Sequence, residues 1–182
     1  MLKLKSFLVF IFYLGVSSLL LYPIFMSHGN IIGGDWGFPL TKIQIDQSFK
    51  GSFYTWGGVG AIFGARQTIF TTIFYQAIIK FLSLIGLTDA YTKILLLLLF
   101  TLAGFSMYLL AKYLKLPEII SLLAGVLYIT TPIFFNYVIM GWTFVLMAMG
   151  FLPLATIGFI RAVKEKSLPY AIATGILYAF AV

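Results

Sequence analysis

From Ile94 to Ala111 the chain carries no charged side chain, and a stretch of that length has to be kept away from water along its whole course. About 20 residues in a helix rising 1.5 Å per residue cross the roughly 30 Å hydrocarbon core of a bilayer. Read this way, the spans are Ser6 to Phe25, Ala90 to Ala111, Ile119 to about Tyr137, and Thr143 to Ile160. A fifth, incomplete one covers 168–182. Hydrophobic residues make up 62% of the chain, charged ones 9%, and mean hydropathy is +1.06, far outside the range of a soluble globular domain. The expected fold is therefore all-α, a polytopic transmembrane helical bundle.

A cleaved signal peptide competes for the first span, because Lys3 and Lys5 precede its apolar run. The run is too long for a typical signal core, and no Ala-x-Ala site follows it. At the other end, Leu168 to Val182 is apolar to its last residue and too short to span, so the sequence reads as the amino-terminal part of a longer protein.

The net charge of +7 comes from twelve Lys and Arg scattered in ones, twos and threes, with no block suited to a phosphate backbone. Nucleic acid is excluded as a partner on that ground. The absence of cysteine excludes disulfides and thiolate metal sites.

Residues 68–85 pose the main topological choice. Thr68, Thr72, Gln76, Lys80 and Ser83 recur every three or four positions, opposite Ile69, Ile73, Phe74, Ala77, Ile78, Phe81 and Leu82. That pattern predicts an amphipathic helix lying flat in the interface. With it flat, Lys3 and Lys5, Lys112 and Lys115, and Arg161, Lys164 and Lys166 all fall on one side, as the positive-inside rule requires. The amino terminus is then cytoplasmic and residues 27–89 form an external loop.

Within that loop, Gly33-Gly34-Asp35-Trp36-Gly37-Phe38-Pro39-Leu40 sets one carboxylate in a tight turn close to the bilayer. Asp35 reads either as a turn aspartate capping nearby amides or as a general base or cation ligand. Lys42 and Arg66 are candidates to hold a phosphate, Arg by a bidentate fork and Lys as a point charge. Asp46 lies in a stretch alternating polar and apolar residues and reads as solvated. His28 has no second histidine at ligand spacing, so no metal site is assigned. Thr131-Pro132 predicts a kink in the third span, with Asn136, Tyr137 and Trp142 as possible lining of a cavity near the outer face.

Taken in order, several elements form a recognisable set. They are a first span, Gly-Asp-Trp-x-Phe-Pro-Leu, a Trp-Gly-rich stretch at Trp56-Gly57-Gly58-Val59-Gly60, and the flat helix. Leu102-Ala103-Gly104-Phe105-Ser106-Met107-Tyr108, Ala124-Gly125-Val126-Leu127-Tyr128 before Thr131-Pro132, and Phe151-Leu152-Pro153-Leu154 follow. This order resembles the amino-terminal module of GT-C membrane glycosyltransferases, among them YfhO-type, arabinofuranosyltransferase-like and 6-pyruvoyl-tetrahydropterin synthase-related membrane proteins. The resemblance implies a prokaryotic plasma-membrane enzyme that moves a sugar from a polyprenyl-phosphate donor to a glycan or lipid acceptor on the external face. It implies Asp35 as catalytic base; Arg66, Lys42, Trp56 and Asn136 are the candidates to bind substrate. Metal dependence is unsupported, because Pro132 to Trp142 holds no Asp or Glu, unlike metal-dependent members. The alternative is a transporter or lipid-flipping component, against which counts the lack of Asp, Glu, His or Arg inside the spans; Lys93, near a span end, is expected to snorkel.

Overall fold

The computed structural model describes residues 2–31, 41–51 and 69–179. Every regular element among them is helical: α1 (Leu2–Leu20), α2 (Tyr22–Met26), α3 (Lys42–Gly51), α4 (Ile69–Leu84), α5 (Tyr91–Tyr113), α6 (Glu118–Ile129), α7 (Pro132–Met140), α8 (Thr143–Glu165) and α9 (Leu168–Ala179). Among the described residues, three stretches are long and apolar enough to cross a membrane: Tyr91–Tyr113, Glu118–Met140 and Val145–Glu165. These fit an integral membrane protein.

Helix α5 is the hub, packing against α1, α6 and α8, while α9 lies along α8. Its long apolar run explains this position: Leu95, Leu96, Leu99, Phe100 and Ala103 are all buried. The aromatic ring of Phe100 meets Phe134 edge-on at 5.2 Å, and Tyr128 meets the other side of Phe134 at 5.3 Å. A second cluster forms around Tyr13 of α1, which is fully buried and donates from its hydroxyl to the Leu122 carbonyl at 2.9 Å. Tyr13 fits only because Gly104 and Gly125 face it. A Cβ built on Gly104 would lie 2.6 Å from the Tyr13 ring, and one on Gly125 would collide with the Tyr13 hydroxyl and the Gly104 carbonyl.

The chain breaks where proline bends it. α6 ends at Ile129 and α7 restarts at Pro132, the ring occupying a first-turn position where no backbone donor is needed. α7 then stops at Gly141, whose φ of 78° is the left-handed cap that glycine adopts without strain. The first apolar run is likewise divided, with Pro23 just inside α2.

The stretch from Lys42 to Gln47, which alternates polar and apolar residues, is the start of α3, where Thr41 and Gln44 form a reciprocal cap: each side chain bonds the other's backbone amide at 3.2 Å. α4 buries residues of both kinds, Ile79 and Leu82 beside Gln76 and Ser83. Phe81, Leu84 and the following Ile85 are exposed, while the Ser83 hydroxyl meets that of Thr88 in the turn after α4 and Lys80 pairs with Asp46 of α3.

Helix directions collect the basic residues at one end. The amino-terminal Lys5 of α1 lies 3.0 Å from Glu118 at the start of α6, and Lys112 at the end of α5 lies 3.3 Å from the same carboxylate. Arg161 near the end of α8 sits over the rings of Tyr113 at 5.6 Å and Tyr170 at 5.1 Å. The three basic clusters therefore share one end of the bundle, and α3 and the start of α5 lie at the other.

Candidate functional site

At the end of the bundle away from that basic cluster, the chain leaving α2 is tied down by polar side chains. Asn30 donates from its amide to the Thr88 carbonyl at 2.8 Å, and its oxygen receives the Thr92 hydroxyl at 3.1 Å. The backbone amide of Ile31 donates to the Thr92 hydroxyl oxygen at 2.9 Å. Lys93, one residue further along α5, is 6% exposed and donates its ammonium to the Ser27 carbonyl. It was expected to snorkel to the surface; instead it turns inward, because the carbonyls freed at the end of α2 offer an acceptor within reach.

The chain re-enters the described structure at Thr41 and the capped start of α3. On α3, Ile45 is fully buried and Asp46 pairs with Lys80 of α4. Asp46 is thus paired with Lys80 while its side chain keeps access to solvent. Its hydrogen bond with Lys80, then the positive charges of Lys80, Lys42 and Lys50, hold its carboxyl below the usual carboxylate range. A depressed carboxyl pKa adds stability that is present above the unfolded-state value and lost as pH falls through the folded one. Hydrogen exchange of the α3 amides should therefore speed up as pH is lowered below about 4, after correction for intrinsic exchange, and Asp46→Asn should remove that step. An α3 protection profile that stays flat through this range would show that the pair does not hold the two helices together.

One turn before Lys80, the side-chain oxygen of Gln76 is buried and has no hydrogen-bond donor among the described residues. An unmet acceptor of this kind is uncommon in a folded protein. Sequence reasoning used Gln76 only as one member of a polar stripe, and it missed Asn30 and Thr92 altogether. Those two lay in plain sight as polar residues at the ends of apolar runs, but nothing in their spacing says that they meet.

Of the candidate residues, Lys42 is exposed on the first turn of α3 and Asn136 is exposed on α7. Tyr137 and Trp142 stack on each other, ring centroids 5.5 Å apart. His28 is exposed just past α2. Asp35, Trp56 and Arg66 lie outside the described residues. The two ends of the segment that carries Asp35 are nonetheless placed, at Ile31 by Thr92 and at Thr41 by the α3 cap. Among the described residues, no three His, Cys, Asp or Glu side chains come together to hold a metal ion. Comparison of the chain with protein-family models, curated proteins and solved structures finds no match.

Proposed function

We propose that this chain belongs to a membrane glycosyltransferase of the GT-C type, acting in a prokaryotic plasma membrane on the face opposite the basic end of the bundle. The observation that carries the reading is the Gly-Asp-Trp-Gly-Phe-Pro-Leu turn at 34–40, in its order with the spans that follow. Fixed attachments at Ile31 and Thr41 support it, because a catalytic group on a loop needs anchored ends to hold its geometry.

In this reaction the Asp35 carboxylate takes the proton of an acceptor hydroxyl as that oxygen attacks the anomeric carbon of the donor sugar. The bond from that carbon to the polyprenyl-phosphate oxygen breaks, the lipid phosphate leaves with the electron pair, and the configuration inverts. Lys42 and Arg66 neutralise the departing phosphate. Trp56 offers an aromatic face to a sugar ring, and Asn136 offers an amide to a hydroxyl. The reading places α4 in the interface, its exposed Phe81, Leu84 and Ile85 toward lipid. Transfer of radiolabelled sugar from polyprenyl-phosphate donors, measured in membranes with and without the protein, tests it.

The buried Lys93 favours a second reading, a transporter or lipid-flipping component, since a buried ionisable group in a membrane protein is a functional-site candidate by default. Its engagement with the Ser27 carbonyl gives it a structural task as well. A protein that moves substrate across vesicles without forming a glycosidic bond, and loses that movement in Lys93→Gln, would replace the transferase reading.

A further inference from the structure

We propose that the basic end of the bundle carries a binding site for the phosphate group of an anionic lipid, in the cleft between the C-terminal ends of α5 and α8. The cleft measures about 350 Å³ and is lined by Tyr113, Leu114, Lys115, Ile160 and Lys164. That volume suits a headgroup-sized ligand. Two of its five lining residues are cations and none is an anion.

Lys115 and Lys164 make no ion pair among the described residues, and the carboxylates nearest in sequence are engaged elsewhere. Glu118 is held by Lys5 at 3.0 Å, Lys112 at 3.3 Å and the Tyr108 hydroxyl at 2.8 Å. Glu165 faces Arg161 at 3.9 Å. The two cleft lysines therefore present uncompensated charge to a shared space.

The backbone adds an independent observation. α5 and α8 both end in the turn that closes with a left-handed residue, marked by bonds from the Leu116 amide to the Ala111 carbonyl and from the Ser167 amide to the Ala162 carbonyl. Glycine is the usual occupant of that left-handed position, yet here the residues are Lys115, at φ 63°, and Lys166, at φ 48°. A favourable helix dipole rewards a cation anywhere in the last turn and does not require it at the strained position. Of the two, Lys115 lines the cleft, and strain kept there fits a place where the side chain is needed for binding.

Depth and chemistry select a lipid. α5 and α8 are membrane-length helices, so their ends lie at headgroup level. Leu114 and Ile160 give the cleft an apolar wall for glycerol and the first acyl carbons, and Tyr113 is an aromatic residue of the type that favours this depth.

The test uses the full chain, delipidated in detergent, titrated by calorimetry with short-chain phosphatidylglycerol, short-chain phosphatidylcholine and inorganic phosphate. Phosphatidylglycerol is expected to bind at least tenfold more tightly than either of the others. Lys115→Gly or Lys164→Gln should weaken it roughly fivefold and the pair roughly thirtyfold, while Lys50→Gln, at the other end of the bundle, should leave it unchanged. Lys115→Gly should also raise the unfolding temperature, because glycine relieves the left-handed strain, so weaker binding in that variant cannot come from unfolding. Equal binding of phosphatidylcholine, full affinity in the double variant, or equal weakening by Lys50→Gln overturns the site. Inorganic phosphate binding as tightly as phosphatidylglycerol overturns the lipid assignment.

Discussion

Membranes carrying Asp35→Asn are expected to transfer sugar from a polyprenyl-phosphate donor at about one hundredth to one ten-thousandth of the wild-type rate, the loss typical of removing a general base. Asparagine is the informative replacement because it separates the two roles open to this aspartate. As a turn residue, Asn is as good as Asp: its side chain bonds the same backbone amides and tolerates the same φ values. As a base it is inert, because the amide does not accept a proton near neutral pH. A turn aspartate therefore predicts nearly full activity for the variant, and a catalytic one predicts collapse of kcat with the donor KM little changed. Equal protein in the membrane, checked by blotting, excludes loss by degradation. Full transfer activity in Asp35→Asn would sink the assignment.

Much of the helical architecture was legible because it follows from length alone. An apolar run such as 94–111 has no soluble use, and a helix is the structure that satisfies its own backbone in lipid. The break before Pro132 was legible for the same kind of local reason, since proline has no amide to give. The helix at Lys42–Gln47 was not read from its alternating polar and apolar pattern, although Thr41 and Gln44 at capping-box spacing announce a helix start. The burial of Gln76 and Ser83 on α4 was not legible at all. Periodicity reveals that a helix has two faces, but which face meets protein depends on whether α3 supplies Lys80 with an acidic partner.

The candidate site was less legible than the fold. Composition and turn chemistry drew attention to Asp35, but the residues that fix the approach to its segment, Asn30 and Thr92, are 62 positions apart and carry no motif. Lys93 shows the same limit from the other side. Its position near a span end suggested a snorkelling lysine, and only the tertiary placement of the Ser27 carbonyl turns it inward.

The glycine pair against Tyr13 should give the largest structural effect, and its logic lies in which atoms collide. For a Cβ on Gly104, the three nearest atoms all belong to the Tyr13 ring, at 2.6, 3.1 and 3.2 Å. For a Cβ on Gly125, the obstacles include the backbone carbonyl of Gly104 as well as Tyr13. Each single change to alanine overpacks the α1, α5 and α6 junction and should destabilise the bundle by about 1–3 kcal/mol. Tyr13→Ala alone should cost about 3–5 kcal/mol, through the cavity it leaves. The double variants should then diverge. Tyr13→Ala removes the three nearest obstacles to Gly104→Ala, so that pair should be less destabilised than the sum of its parts by about 1–3 kcal/mol. It removes only part of the obstacle to Gly125→Ala, whose clash with a main-chain oxygen persists, so that pair should stay closer to additive. Unfolding midpoints of the five variants in one detergent would read this difference directly. Additivity for the Gly104 pair would mean that α1 does not reach the α5–α6 seam. Tight approach at small residues drives association between helices where lipid removes the hydrophobic drive, and without it Tyr13 could not reach the Leu122 carbonyl that joins α1 to α6.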